Sequence, residues 1–324
     1  MDNVPRNIIL VGDARKRLAE LPSGSIDCVV TSPPFYGQRR FLPGTAEIGL
    51  EPSVTEWVRS VRQVLSGIAR VLKPTGSLWL DLADTYSRGV REGAPGKSLL
   101  LAPERLLLGL IEDGWIVRNK VIWAKTNPMP TGIRDRLDSA YDFVYFLVRS
   151  RRYFFDLDAI RERRVDEATG ATKLGRNPTD VWPISIANFR GPHFGTFPPK
   201  LVERPLLATC PAKVCVVCGA PWATVTSTKR MLRRRFERRP AMRVHPVPYD
   251  VVRTDPELRP GCTCDGGTRP GIVLDPFVGT GTVGAVAQEL GRDWLGIELN
   301  PEYVKLAEVR LGRSATGPSM REAA

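Results

Sequence analysis

The sequence predicts an α/β fold built on a doubly wound, mostly parallel sheet. Short apolar runs at Asn7–Gly12, Ile26–Val30, Ser77–Leu82, Ile272–Asp275 and Trp294–Ile297 read as buried strands. Between them lie segments of helical periodicity, such as Val54–Leu72 and Ala102–Glu112, in the alternation that builds a parallel sheet. At 324 residues and 42% hydrophobic content, the chain can bury one large domain and carry a smaller appendage.

In chain order, Asn7–Gly12 is a strand closing on Asp13, and a short helix follows through Leu21. Ser23-Gly24-Ser25 turns the chain into the strand Ile26–Val30, which runs into Thr31-Ser32-Pro33-Pro34-Phe35. Residues Tyr36 to Pro52 are polar and Gly/Pro-rich, and are expected to form a mobile loop over a site. The helix Val54–Leu72 is expected to break at Lys73-Pro74, and the strand Ser77–Leu82 ends near Asp81 and Asp84. Arg88–Lys97 is another Gly-rich loop before the helix Ala102–Glu112. Strands Trp115–Lys125 and Tyr141–Arg149 flank a break at Asn127-Pro128-Met129-Pro130, and together predict an antiparallel edge. Apolar periodicity fades from Arg151 to Asn188, and Cys, Pro and Arg dominate from Thr209 to Arg269.

Two motifs carry chemistry. In Ser32-Pro33-Pro34-Phe35 the prolines hold the chain extended and remove two backbone donors, so their carbonyls are free to accept. A Ser hydroxyl and a Pro carbonyl could grip the two N–H groups of a nucleobase amino group while Phe35 stacks on the ring. A bare Ser-Pro-Pro is a common strand end. The second motif gives it meaning. Ile272–Asp275 runs into Pro276-Phe277-Val278-Gly279-Thr280-Gly281-Thr282, a helix over Val283–Leu290 ends at Gly291, and the next strand closes on Glu298. This is the strand, Gly-turn, helix, strand, acid series of a nucleotide-binding half-sheet, in which the acid can accept ribose hydroxyls. Asp275 would repel a pyrophosphate. It would attract a cationic ligand such as S-adenosylmethionine.

With these residues the chain resembles the amino-directed (N4-cytosine or N6-adenine) DNA methyltransferases of the β arrangement, over residues 8–148 and 190–311. The resemblance implies an α/β, circularly permuted Rossmann-like methyltransferase sheet with an inserted Cys-rich zinc-binding and target-recognition region. Ser32, Pro33, Pro34 and Phe35 match the catalytic tetrapeptide. Asp275, Phe277, Gly279, Thr280, Gly281 and Thr282 fall in the cofactor loop, Glu298 matches the ribose-binding acid with Asn300 beside it, and Asp13 matches the position that meets the adenine. His193–Pro198, with Phe197, looks like the segment that completes the cofactor pocket. The implied division is residues 1–150 as catalytic half, 151–189 for target recognition, 190–212 for the pocket segment, 213–268 as zinc-binding basic insertion and 269–324 as the S-adenosylmethionine-binding half. Ser at the head of the tetrapeptide resembles the N4-cytosine subgroup. Adenine-N6 methylation on the same scaffold, and an inactive zinc-bearing DNA-binding protein, are the alternatives.

A net charge of +12 and a pI near 9.7 point to a polyanionic partner, here DNA. No apolar stretch is long enough to span a bilayer, so no membrane partner and a cytoplasmic location are expected. A homodimer and a cognate restriction endonuclease are further partners the resemblance admits. Cys215-x-x-Cys218 and Cys262-x-Cys264 offer four thiolates in two close pairs, the donor set of a structural Zn²⁺. Cys210 is a weaker candidate, and Cys28 reads as a small core residue. Between the pairs, Lys229–Arg239 holds seven basic residues against one acid, a segment suited to phosphates. The two His residues, His193 and His245, sit in no nucleophile motif.

Overall fold

The computed structural model describes residues 4–37, 47–165, 172–186, 198–226, 228–232, 249–253 and 257–314. In chain order the elements are β1 (Ile8–Val11), α1 (Ala14–Glu20), β2 (Ile26–Thr31), α2 (Val54–Val71), β3 (Leu72–Leu82), α3 (Ala102–Glu112), β4 (Ile116–Lys125) and β5 (Tyr141–Val148). Then come β6 (Glu162–Val165), β7 (Thr172–Arg176), β8 (Val181–Ile184), α4 (Pro199–Thr209), β9 (Val214–Cys215), β10 (Ala223–Val225), β11 (Thr228–Leu232) and β12 (Tyr249–Arg253). The last are β13 (Glu257–Arg259), β14 (Thr268–Arg269), β15 (Ile272–Asp275), α5 (Thr282–Glu289), β16 (Asp293–Glu298) and α6 (Pro301–Ser314).

Eight strands form the main sheet in the order β1-β16-β15-β2-β3-β5-β4-β8. β1, β16, β15, β2 and β3 run parallel, β5 is antiparallel to both its neighbours, and β8 is parallel to β4. The period-2 alternation of the strands splits the core between two faces. Val29, Leu78 and Leu80 pack with Leu18 of α1, Trp57, Val61, Leu65 and Ile68 of α2, and Leu106 and Leu110 of α3. Cys28, Val30, Trp79, Val144 and Phe146 point the other way, to Leu201 and Leu206 of α4, Val283 and Val286 of α5, and Ala307 and Leu311 of α6. The sheet is thus covered on both sides, which is why its parallel strands read as unbroken apolar runs. Ser53 caps α2 by accepting from the Glu56 N–H at 3.3 Å, and it donates to the Glu56 carboxylate at 3.0 Å.

Two expectations need correction. The helix α2 does end before Lys73-Pro74, but those residues open β3 instead of separating it from the helix. The β2–β3 register jumps from Ile26↔Leu72 to Cys28↔Ser77, so Pro74 occupies an irregular stretch where no ladder donor is needed. Lys73 then reaches Asp27 at 2.5 Å, and the other Asp27 oxygen accepts from the Ile272 N–H at 3.0 Å. That buried acid ties β2, β3 and β15 together. Second, β4 and β5 form the expected antiparallel pair but not the edge, because β8 adds beyond β4. The stretch in which apolar periodicity fades, Arg151 to Asn188, supplies that strand.

Elsewhere among the described residues, four two-stranded ladders stand apart from the main sheet: β6 with β7, β9 with β14, β10 with β13, and β11 with β12. The basic run begins in β11, and its residues 233–239 lie outside the described residues, as do His193, His245 and Phe197. Of the expected loop over Tyr36–Pro52, residues 38–46 are likewise outside them, and both flanks are held. Gly37 donates to the Gly49 carbonyl at 2.8 Å, and Tyr36 and Ile48 are buried.

Candidate active site

The carboxyl ends of β1, β16, β15, β2 and β3 line up along one edge of the sheet, where open α/β folds hold their ligands. β2 delivers Thr31 and Ser32 to that edge, and β15 delivers Asp275 beside them. The Thr31 hydroxyl donates to Asp275 at 2.7 Å, and the same carboxylate oxygen accepts from the Phe277 N–H at 3.0 Å. Two motifs 244 residues apart are therefore joined by one hydrogen bond. Asp275 is 2% exposed, and burial pushes its carboxyl up to about 7.

The turn after β15 is shaped by its glycines. Gly279 and Gly281 have φ of 51° and 81°, the left-handed region, and Gly281 opens α5. The Gly279 N–H and the Asn300 N–H each donate to Glu298, at 2.9 and 2.8 Å, so this acid at the end of β16 folds the turn toward itself. Burial raises the Glu298 carboxyl above its ordinary range. Thr280 and Thr282 are buried, and Arg310 of α6 donates to the Thr282 hydroxyl at 2.9 Å. Phe277 packs half-buried against the core. Asp13 stands just past β1, where it caps α1 through the Arg15 N–H at 2.7 Å and pairs with the Arg15 guanidinium. That hydrogen-bonded guanidinium lowers the Asp13 pKa. Every residue expected at the cofactor pocket that is among the described residues lies along this edge.

At the tetrapeptide, the Ser32 hydroxyl donates to Asp81 of β3 at 3.0 Å, leaving its lone pairs free to accept. Asp81 is buried, and its other carboxylate oxygen has no partner among the described residues. Burial first, and the charge of Asp142 second, push Asp81 up to about 8. The Pro34 carbonyl is taken: the buried indole of Trp57 donates to it at 2.9 Å. Pro33 therefore has the freer carbonyl of the two. Phe35 is half-buried against the core, and Gly49 sits so close that a Cβ there would lie 3.0 Å from the Phe35 carbonyl.

Sequence reasoning misses three partners here. It gives Thr31 no role within the motif, Trp57 only an apolar position on a helix, and Asp81 only a strand end. A signal exists for Asp81, an acid inside an otherwise apolar run. Trp57→Phe is expected to leave the Pro34 carbonyl without its donor at a buried position, a loss of about 1–3 kcal/mol. Denaturant unfolding would measure it.

The second cluster lies in the insertion. The Sγ atoms of Cys215, Cys218, Cys262 and Cys264 all lie within 4.8 Å of one another. Cys215 sits in β9 opposite Thr268 of β14, and Gly219 with φ 75° turns the knuckle so that its N–H meets the Cys215 carbonyl at 3.0 Å. Backbone N–H groups of Cys218 and Val217 pull the Cys215 thiol down to about 7. Cys210 is buried in the core and is no part of the cluster, and Cys28 is fully buried with its thiol pushed up to about 12.

A family model described as DNA methylase matches residues 26–217 and 267–309. The chain is 33% identical over 323 residues to the type II methyltransferase M.Cfr9I of Citrobacter freundii, covering 93% of this chain and 86% of the relative. It is 31% identical to the type II methyltransferase M.SmaI of Serratia marcescens, covering 94% of this chain and 90% of the relative. Among solved structures it shares its fold with the cytosine-N4-specific PvuII DNA methyltransferase, at TM-score 0.59, 21% identity, and 93% and 85% coverage of the two chains. A putative DNA modification methylase of Thermus thermophilus, solved with S-adenosyl-L-methionine, superposes at TM-score 0.55 and 21% identity, with 96% of each chain covered. With the Gly-turn after β15 and the Ser-Pro-Pro-Phe end of β2 on one sheet edge, and the family match running through both, the chain belongs to the N6/N4 DNA methylase family.

Proposed function

We propose that this protein is a site-specific DNA methyltransferase that uses S-adenosylmethionine to methylate the exocyclic N4 of cytosine. The observation that carries the reading is the junction at the end of β2. There Ser32 is paired with Asp81 on one side, while Thr31 is bonded to the buried Asp275 of the Gly-turn on the other. On this reading the hydroxyl suited to hold the base stands next to the turn suited to the cofactor.

The residues fit the cofactor. Asp275 offers buried negative charge for a cationic methionine portion, Gly279 and Gly281 allow close backbone approach, and Glu298 keeps lone pairs for ribose hydroxyls. Asp13, Phe277, Thr280, Thr282 and Asn300 complete the set. When bound, S-adenosylmethionine supplies an electrophilic methyl group on sulfur. The chain's own work is to present the amino nitrogen. Ser32 and the Pro33 carbonyl accept its two N–H bonds, which pulls the lone pair out of conjugation with the ring and directs it away from the acceptors. Phe35 supports the base, which must leave the duplex to arrive. The methylated nitrogen must shed a proton, and the Ser32 hydroxyl can take it while passing its own to Asp81. An ordinary carboxylate would hold that proton weakly. One shifted up to about 8 holds it well.

The sheet order supports a circularly permuted layout, since the strands of the cofactor turn, β15 and β16, come last in the chain yet lie between β1 and β2. The net charge of +12 supports DNA as partner. Among the described residues no helix is long and apolar enough to cross a membrane. The four-Cys cluster fits a structural zinc ion, with Cys215, Cys218, Cys262 and Cys264 as thiolate ligands. Closed tetrahedral ligation by four sulfurs is the usual structural arrangement. The ion would fasten β9 and β14 to the chain around Cys262 and so anchor the basic segment between them.

Expression in a methylation-free host, followed by nucleoside mass spectrometry of its DNA, tests the reading. N4-methylcytosine is the expected product. N6-methyladenine would move the assignment to the other branch of the family. Glu298→Ala and Asp275→Ala are each expected to weaken S-adenosylmethionine binding by about 1.5–3 kcal/mol, the worth of a charge-assisted hydrogen bond. Calorimetry checks this, and normal binding in both would remove the pocket assignment.

A further inference from the structure

Lys125 and Asp142 form an ion pair at 2.7 Å, with side chains only 18% and 9% exposed. A pair this well buried needs a reason, because removing two charges from water offsets most of their attraction. The pairing of the strands does not depend on it: β4 and β5 are already joined from Ile116↔Val148 to Ala124↔Tyr141, with one register shift between Val117 and Asn119. Its position supplies the reason. Asp81 lies opposite Val144 in the β3–β5 ladder, and Asp142 is two residues further along β5, on the same face. Trp123 lies opposite Asp142, and Lys125, two residues on from Trp123, shares that face too, with its Nζ 5.3 Å from the Trp123 ring. Three neighbouring strands and the end of β2 thus set four polar side chains in a row at the catalytic edge: Ser32, Asp81, Asp142, Lys125. Beyond this row, the same face is the apolar core of Trp79, Val121, Trp123, Val144 and Phe146.

We propose that Lys125 and Asp142 are positioning residues for methyl transfer, which set the readiness of Asp81 to take the proton that Ser32 relays from the amino nitrogen. The inference rests on the proposed amino methylation but concerns residues that touch neither base nor cofactor. Asp142 places a negative charge beside Asp81 and strengthens its hold on a proton. Lys125 sets a positive charge against the two carboxylates and so limits how strongly Asp81 holds its proton. The unpartnered Asp81 oxygen leaves that carboxylate with room for the proton. Among the described residues, the charged groups acting on Asp81 are Asp142 from β5 and Lys125 from β4, and its neighbour from β2 is the neutral Ser32 hydroxyl.

The two residues act in opposite directions, and that separates positioning from mere scaffolding. The probe is the single-turnover rate of methylation of a duplex oligonucleotide, followed against pH. Asp142→Asn should move the acid limb to lower pH by about 1–2 units, the usual effect of one near charge, and lower the plateau because Asp81 becomes a weaker base. Lys125→Met should move the limb to higher pH, and Lys125→Arg should restore it. The carboxyl carbon-13 titration of Asp81, read by NMR without DNA, should shift in the same two directions. Limbs that stay in place while rates fall, or that move the same way in both variants, would overturn the proposal. Should Lys125→Met fail to fold, Asp142→Asn and Lys125→Arg still decide it. If the parent protein methylates no amino group, the functional reading fails, and the NMR titration still reports on the pair.

Discussion

Ser32→Ala is expected to lower the single-turnover rate of DNA methylation by about 10²–10⁴-fold, the range lost with a positioned proton-transfer group. S-adenosylmethionine affinity should stay nearly unchanged. The separation follows from the wiring of the site. Ser32 is bonded to Asp81, whereas the link to the Gly-turn proposed for the cofactor runs through the adjacent Thr31 to Asp275. Removing the Ser32 hydroxyl cuts the amino group off from Asp81 and leaves the turn intact. Phe35→Ala should act differently, weakening productive base capture by roughly 1–3 kcal/mol, the worth of one base–aromatic stack. Rapid-quench assays with labelled cofactor, set beside calorimetry, distinguish the two. An unchanged rate in Ser32→Ala would show that the amino group is oriented by other means.

The second large effect is expected at the cysteines. Protein purified without chelator should carry about one zinc per chain, and Cys218→Ser or chelation should remove it. β9 and β14 share only two pairs, Thr268↔Cys215 and Arg269↔Val214, too few to order a segment unaided. Ordering a segment at the moment of binding costs about 2–5 kcal/mol, so DNA affinity should drop by at least ~10-fold when the metal is lost. S-adenosylmethionine affinity should hold, because Asp275, Gly279 and Glu298 stand on the main sheet. Metal analysis with paired DNA- and cofactor-binding titrations makes the check. A zinc-free protein with full DNA affinity would remove the metal from the account.

The main sheet is legible in the sequence because its strands are buried on both faces. Ile26–Thr31 and Ile272–Asp275 are fully buried and therefore almost uniformly apolar. Helix α2 is legible for a different reason, since Val54, Trp57, Val61, Val64, Leu65, Ile68 and Val71 recur along one buried stripe. β8 is not, because it is four residues long, contains Pro183 and buries only Trp182. The motif residues can be found from local chemistry alone, as with Ser32 and Glu298. Their partners cannot: Thr31 with Asp275, Trp57 with Pro34, and Lys125 with Asp142 are joined by folding, and no local pattern marks which residue meets which.

The strand order has a consequence for how the protein comes into being. β1, residues Ile8–Val11, pairs with Leu295–Glu298, and Val29 of β2 pairs with Leu274. β1 and β2 must therefore wait for strands made far later in the chain. While the chain is still on the ribosome, β2 has β3 on one side and an open edge on the other, a template for wrong partners until β15 arrives. Pairings this far apart in the chain also close slowly. A nascent chain arrested before Asp293 is expected to hold α2, α3 and the β3–β5–β4 sheet, yet bind no S-adenosylmethionine. Modifying activity should then switch on only once β15, α5 and β16 have been made, leaving shorter fragments inert toward DNA.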